Sequence, residues 1–222
     1  MRTPAQGLGP SSLLILSLLL GCAPGAKTYD YSNYRRHMPR SILVIPPTND
    51  SVDVNAPYTY LSTVTRPLAE AGYYVFPVAV IDRFMQENGL PTPAEMNAVP
   101  LSKIGDIFGA DAVLYVHIEE WGQKYAVLSS LTVVRARARL VDVRTGTTLW
   151  EGAAKAVEGS GDAGAGLLGM AVTAVVDQIV ASATDRAHQL SAVANQGMLL
   201  HPKSGLLPGP YHPGYATDAR GR

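Results

Sequence analysis

The sequence predicts an α/β fold: a single, three-layer-like domain in which a mixed parallel/antiparallel sheet is flanked by helices. Three observations predict it. Residues 41–45 (Ser-Ile-Leu-Val-Ile) and 112–118 (Ala-Val-Leu-Tyr-Val-His-Ile) are short, continuously apolar runs, the pattern of strands covered on both faces. Segments with apolar residues at helical spacing lie between them, as in βαβ units. Residues 125–143 and 148–157 then carry β-branched and alternating residues through long strands joined at Arg144-Thr145-Gly146-Thr147, where Gly146 supplies the positive φ of a tight hairpin.

At the amino terminus an apolar run over residues 11–20 follows Arg2 and ends in Leu19-Leu20-Gly21-Cys22. About ten apolar residues fall short of the roughly 20 that a bilayer-crossing helix needs, so residues 1–21 read as an export signal. Cys22, the one cysteine of the chain, stands where bacterial lipoproteins carry their lipobox cysteine. That resemblance implies a diacylglycerol on its sulfur, cleavage before it and an N-acyl chain on the new amine. The other reading is a cysteine that happens to end a soluble export signal. Each buried methylene contributes roughly 0.8 kcal/mol, so two or more acyl chains make an essentially permanent anchor. Ala23 stands where an Asp retains many lipoproteins in the inner membrane, which by the same resemblance favours the inner leaflet of the outer membrane, the domain facing the periplasm. Whether any part reaches the cell surface stays open.

Residues 22–40 read as a lipid-anchored tether. Its cluster of Tyr29, Tyr31, Tyr34, Arg35, Arg36 and His37 is either plain linker or a contact for headgroups, glycan or a partner protein. The strand at 41–45 closes at Pro46-Pro47, and a polar loop with Asn49, Asp50 and Asp53 follows. A helix over 58–71 has Leu61, Val64, Thr65 and Leu68 at helical spacing. Pro67 removes an interior hydrogen bond and predicts a kink or break there, and Gly72 suits the helix end. A strand over 73–76 stops at Pro77. In 78–88 the pairs Val80/Phe84 and Ile81/Met85 stand four apart, and Gly89 stops that helix. Pro91 and Pro93 predict a loop over 90–99. Pro100 then opens a helix with Leu101, Ile104 and Phe108 on one face and Gly109 at its end. After the hairpin, the Gly- and Ala-rich residues 159–169 lead into a closing helix with a stripe of Leu168, Val172, Val175, Val176, Ile179 and Ala183. The domain thus spans 41–195. Residues 196–222 read as a flexible Pro/Gly-rich tail, with five glycines and four prolines in the last 26 residues.

The 222 residues are 47% hydrophobic and 16% charged, with 18 basic and 18 acidic side chains. This excludes a disulfide-stapled mini-protein, a coiled-coil or collagen rod, and a polybasic nucleic-acid binder. Removing residues 1–21 takes only Arg2 from the charged set, leaving 17 basic against 18 acidic side chains and no long-range charge steering. With Cys22 acylated no thiol is left for catalysis.

Arg135, Arg137 and Arg139 alternate along one strand and so stand on one sheet face. They read either as a surface for anions or acidic partners, or as a solvated face that repels edge pairing. Gly159-Ser160-Gly161-Asp162-Ala163-Gly164 matches GxGxxG, as does the overlapping stretch from Gly164 through Gly166 to Gly169. A hairpin strand precedes it and no parallel strand follows its helix, so it does not fit a dinucleotide loop. Gly164, Gly166 and Gly169 read as a plain loop or as a close backbone contact with another chain or the membrane. His117 and Glu119 project on the same side of a strand, yet two ligands do not make a metal site, and no GxSxG or HExxH is present. No catalytic residue, metal or cofactor beyond the acyl groups is expected.

Gly72-Tyr73-Tyr74-Val75-Phe76-Pro77-Val78, Asn88-Gly89-Leu90, Ile107-Phe108-Gly109-Ala110-Asp111-Ala112, and Leu140 through Gly146 with Leu149-Trp150-Glu151-Gly152 resemble a bacterial lipoprotein family of unknown function that includes a neisserial vaccine-candidate surface antigen. The resemblance runs from about residue 40 to 194. A looser one, through Asp-x-x-Thr-Gly followed by Leu-Trp, is to the periplasmic part of the CsgG-type curli-secretion lipoproteins. These resemblances imply a non-enzymatic, lipid-anchored accessory or scaffold in envelope assembly, secretion or transport. Its partners would be envelope proteins, a CsgG-like lipoprotein or further copies of itself, without nucleic acid. The alternatives are an oligomeric pore or transporter component, and a glycan- or small-ligand-binding lipoprotein.

Overall fold

The computed structural model describes residues 29–126, 129–159 and 183–217. In chain order the elements are α1 (Ser32–His37), β1 (Ser41–Val44), β2 (Thr48–Asn49), α2 (Ala56–Glu70), β3 (Tyr74–Val75), α3 (Val78–Glu87), α4 (Pro93–Asn97), α5 (Leu101–Phe108), β4 (Ala112–Ala126), β5 (Ser129–Asp142), β6 (Thr148–Gly159) and α6 (Ala183–Leu199). The sheet is mixed, in the order β3-β1-β4-β5-β6, with β2 paired to β4. β1 lies parallel to β3 and β4, whereas β4, β5 and β6 form an antiparallel meander.

Alternation along β1 sends Ile42 and Val44 to one face and Leu43 to the other, where Ile45 just beyond the strand joins it; all four are fully buried. The first face packs on Tyr60, Val64 and Leu68 of α2 and on Leu190, Ala194 and Met198 of α6. The second packs on Ile81 and Met85 of α3, Met96 of α4 and Ile104 of α5. Three layers therefore cover β1 and the start of β4. Over β5 and β6, Arg137, Arg139, Glu151 and Lys155 of the second face are exposed. Between α2 and α6 the Thr63 hydroxyl meets Ser191 Oγ at 2.7 Å and accepts from Asn195 Nδ2 at 2.9 Å, a buried polar clasp.

Several local expectations change. α2 runs unbroken through Pro67, which is itself buried, because one lost hydrogen bond is outweighed by the apolar face formed by Tyr60, Leu61, Val64 and Leu68. The loop over 90–99 contains α4, started by a capping box in which Thr92 and Glu95 satisfy each other's backbone N–H. Tyr125 belongs to β4, which ends at Ala126 and is followed by the separate strand β5. Of the two apolar pairs on α3, Ile81/Met85 is buried while Val80 and Phe84 are exposed.

The largest corrections concern the chain ends. From Tyr29 onward the expected tether is folded into the domain. Tyr34 is fully buried, and its hydroxyl meets that of Tyr73 at 2.5 Å. The Tyr73 hydroxyl in turn donates to the Leu207 carbonyl, and the Tyr31 hydroxyl donates to Gly205 O at 2.6 Å. α6 continues past residue 195 to Leu199, and within the expected tail Leu206 and Leu207 are buried. Gly209 N–H donates to Ala71 O at 2.7 Å and Tyr211 N–H to Gly72 O at 3.0 Å. Composition counts few apolar residues here, but this segment packs through its backbone: a Cβ on Gly209 would stand 2.3 Å from Gly72 O.

Candidate functional site

The arginine row lies on the open face of the sheet. Tyr115 stands opposite Arg139, His117 opposite Arg137 and Glu120 opposite Arg135. A β-bulge between Ile118 and Glu120 makes Glu119 an extra residue, so two successive glutamates both reach the arginines instead of alternating across the sheet. Arg137 pairs with Glu119, Arg135 Nη1 lies 3.1 Å from Glu120 Oε1, and Lys124 Nζ donates to Glu120 Oε2 at 2.5 Å. The Lys124 hydrogen bond, with the charges of Arg135 and Lys155, outweighs burial and holds the Glu120 carboxyl below its ordinary pKa. Arg139 lies 5.6 Å above the Tyr115 ring. Two members of the row are thus ion-paired and the third stacks on a ring. Period-2 alternation hides this, because only a bulge brings Glu119 and Glu120 to one side.

His117 and Glu119 do not share a ligand site. The His117 ring meets Thr48 Oγ1 through Nδ1 and Asp50 Oδ2 through Nε2, each at 2.9 Å, and so fastens β2 to β4. Among the described residues no group of three or more His, Cys, Asp or Glu side chains is placed to hold a metal ion. Cys22, Gly164, Gly166, Gly169 and most of the expected closing stripe (168–182) lie outside the described residues.

A cleft of about 690 Å³ opens where β1 and β4 begin and β5 ends, between the segment carrying His37 and Arg40, the α5 residues Ser102 and Asp106, and Arg144 in the hairpin. Its carboxylates position backbone. Asp111 Oδ2 accepts from Arg40 N at 2.9 Å and from Ser41 N and Oγ at 3.0 Å, joining the starts of β1 and β4. Asp142 Oδ1 accepts from Thr145 N at 2.8 Å and Thr145 Oγ1 at 2.7 Å, which shapes the hairpin. Its other oxygen lies 3.3 Å from His37 Nδ1. Burial pushes the Asp142 carboxyl up, but the Thr145 hydrogen bonds together with His37 and Arg144 leave it below its ordinary pKa. Sequence reasoning missed the His37–Asp142 pair, because His37 was assigned to the tether. The one local signal was the Asp-x-x-Thr-Gly hairpin.

The family model described as "Putative lipoprotein GNA1162-like" matches residues 29–211, a span that begins and ends with the packed terminal segments. The relative "Putative lipoprotein NMB1124/NMB1162" of Neisseria meningitidis serogroup B is 45% identical over 204 residues, covering 91% of this chain and 94% of its own. The crystal structure of lipoprotein GNA1162 from Neisseria meningitidis is 50% identical with a TM-score of 0.52, over 55% of this chain and 85% of that chain. The PelC dodecamer from Paraburkholderia phytofirmans is a fainter likeness, 14% identical with a TM-score of 0.41, over 77% of this chain and 91% of that chain. The matched span and the identity over nearly the whole length place this chain in the family described as GNA1162-like putative lipoproteins.

Proposed function

We propose that the protein is held on the inner leaflet of the outer membrane by an acylated Cys22, faces the periplasm, and serves as a non-enzymatic accessory or scaffold in envelope assembly, secretion or transport. The observation that carries this reading is positional: Cys22 ends the Leu-Leu-Gly lipobox only seven residues before Tyr29, where the packed domain and the family match begin. The engagement of His117, Asp111 and Asp142 in joining strands and turns supports a scaffold rather than a reaction centre. The open face of β5 and β6, with ion pairs of both signs, suits an envelope protein, a CsgG-like lipoprotein or a second copy of the chain. A ligand-binding role is favoured by one observation, the cleft between His37 and Arg144.

Cross-linking in living cells followed by mass spectrometry tests the scaffold role, with recurrent cross-links from the β5–β6 face to envelope proteins as the expected result. Cross-links to no protein would overturn it. Cys22→Ser should move the protein from the membrane fraction to the soluble fraction and abolish acyl-chain labelling. Unchanged labelling would refute the anchor.

A further inference from the structure

We infer that the outward face of α1, centred on Arg35 and Arg36, docks on anionic phospholipid headgroups of the leaflet that holds the chain's own anchor. The inference rests on the acylation of Cys22 proposed above and goes beyond it. An acyl anchor alone leaves the domain free to tumble on a leash, whereas docking gives it one orientation.

α1 is fixed to the domain from its inner side. Tyr34 is buried against Tyr73, Asn33 Nδ2 donates to Thr148 O at 3.2 Å, and His37 faces Asp142. Residues 33, 34 and 37 therefore define the inner side of the helix, and Ser32, Arg35 and Arg36 are exposed on the other. Arg36 donates to neutral acceptors, Ser32 O at 3.3 Å and Asn33 Oδ1 at 2.5 Å, which hold its guanidinium in place without cancelling its charge. The nearby acids are Asp30, capped by Ser32, and Glu151, whose N–H donates to the Tyr29 hydroxyl.

The length of chain ahead of α1 limits its distance from the membrane. Six residues lie between Cys22 and Tyr29, a reach of at most about 25 Å, so this pole of the domain stays within about 25 Å of the leaflet. Charge is concentrated there as well. Between the anchor and β1 lie Lys27, Arg35, Arg36 and Arg40 against Asp30 alone, whereas the rest of the mature chain carries 13 basic against 17 acidic side chains. Each cation close to an anionic leaflet favours the docked state about fivefold, and tethering supplies the high local concentration that so small a patch needs.

The test uses the full, natively acylated protein inserted in vesicles of phosphatidylcholine alone or of phosphatidylcholine mixed with phosphatidylglycerol. An environment-sensitive fluorophore is attached to the Ser32→Cys variant, whose new thiol is the only free one once Cys22 is acylated. The expected result is a blue shift and shielding from an aqueous quencher only in the phosphatidylglycerol vesicles, both reversed by high salt. Arg35→Glu with Arg36→Glu should reduce the docked population at least tenfold, and Arg35→Gln with Arg36→Gln by less. Arg66→Glu, an exposed change on α2, should leave docking intact. Equal signals in the two vesicle types, or a signal indifferent to charge reversal, would overturn the inference. Flotation reports the anchor separately. If the protein floats with neither vesicle, the anchor reading fails, and the Cys22→Ser chain carrying the same label is titrated with phosphatidylglycerol vesicles. A salt-sensitive shift there supports docking, and no shift overturns it.

Discussion

The indole N–H of Trp150 donates to the carbonyl of Ser204 at 2.7 Å and joins strand β6 to a segment 54 residues further along the chain. The ring is almost completely buried and lies across Gly152, where a Cβ would come within 2.3 Å of it. Trp150→Phe keeps an aromatic ring but leaves the Ser204 carbonyl without this donor and a gap where the second ring was. The expected loss is about 1–3 kcal/mol, read as a lowered urea midpoint at unchanged slope.

The tyrosine relay predicts an asymmetry between two similar substitutions. Tyr34 donates to Tyr73, and Tyr73 to the Leu207 carbonyl. Tyr34→Phe removes the end of the chain and should cost about 1 kcal/mol. Tyr73→Phe strands the buried Tyr34 hydroxyl and the Leu207 carbonyl together and should cost about 2 kcal/mol or more. Chemical denaturation of both variants checks the order, and equal losses would contradict the relay.

Gly209 should tolerate no side chain. A methyl group there would stand 2.3 Å from Gly72 O and 2.9 Å from the Tyr73 ring, so Gly209→Ala must push the C-terminal segment off α2 and β3. The expected cost is about 1–3 kcal/mol. Hydrogen exchange should show it locally as lost protection at the Tyr211 amide, which bonds to Gly72 O.

Acid stability depends in part on the hairpin between β5 and β6. The folded pKa of Asp142 is depressed below 3.8, so its contribution is complete above that value and is lost as pH falls through the folded value. Thr145→Val removes the 2.7 Å hydroxyl bond and lets the folded pKa rise toward 3.8. The variant should be about 1 kcal/mol less stable at neutral pH, and its deficit should shrink well below the ordinary carboxylate range. Urea midpoints at the two pH values measure the difference, and a deficit that widened in acid would reverse the assignment.

The sequence alone determined the features set by near neighbours along the chain. The unbroken apolar runs at residues 41–45 and 112–118 required interior strands, Gly146 a tight hairpin, and the stops at Gly72, Gly89 and Gly109 the helix ends, each with positive φ. From these the mixed α/β sheet followed. The Leu-Leu-Gly-Cys22 string is equally local, and the anchor proposed on it rests on neighbouring residues alone.

The tertiary structure decided what depends on residues far apart in sequence. The pairing of Arg135 with Glu120 required a bulge that no alternation announces, and His37 met Asp142 only because α1 packs beside β6. Composition marked both chain ends as loose, because it weighs apolar side chains and little else. In the fold the ends are held by tyrosine hydroxyls, by backbone amides and by two glycines, Gly72 and Gly209, small enough to let main chains touch. Such contacts exist only once the sheet has brought residues 29–40 and 199–211 to the same pole, and no window of local sequence contains that closure.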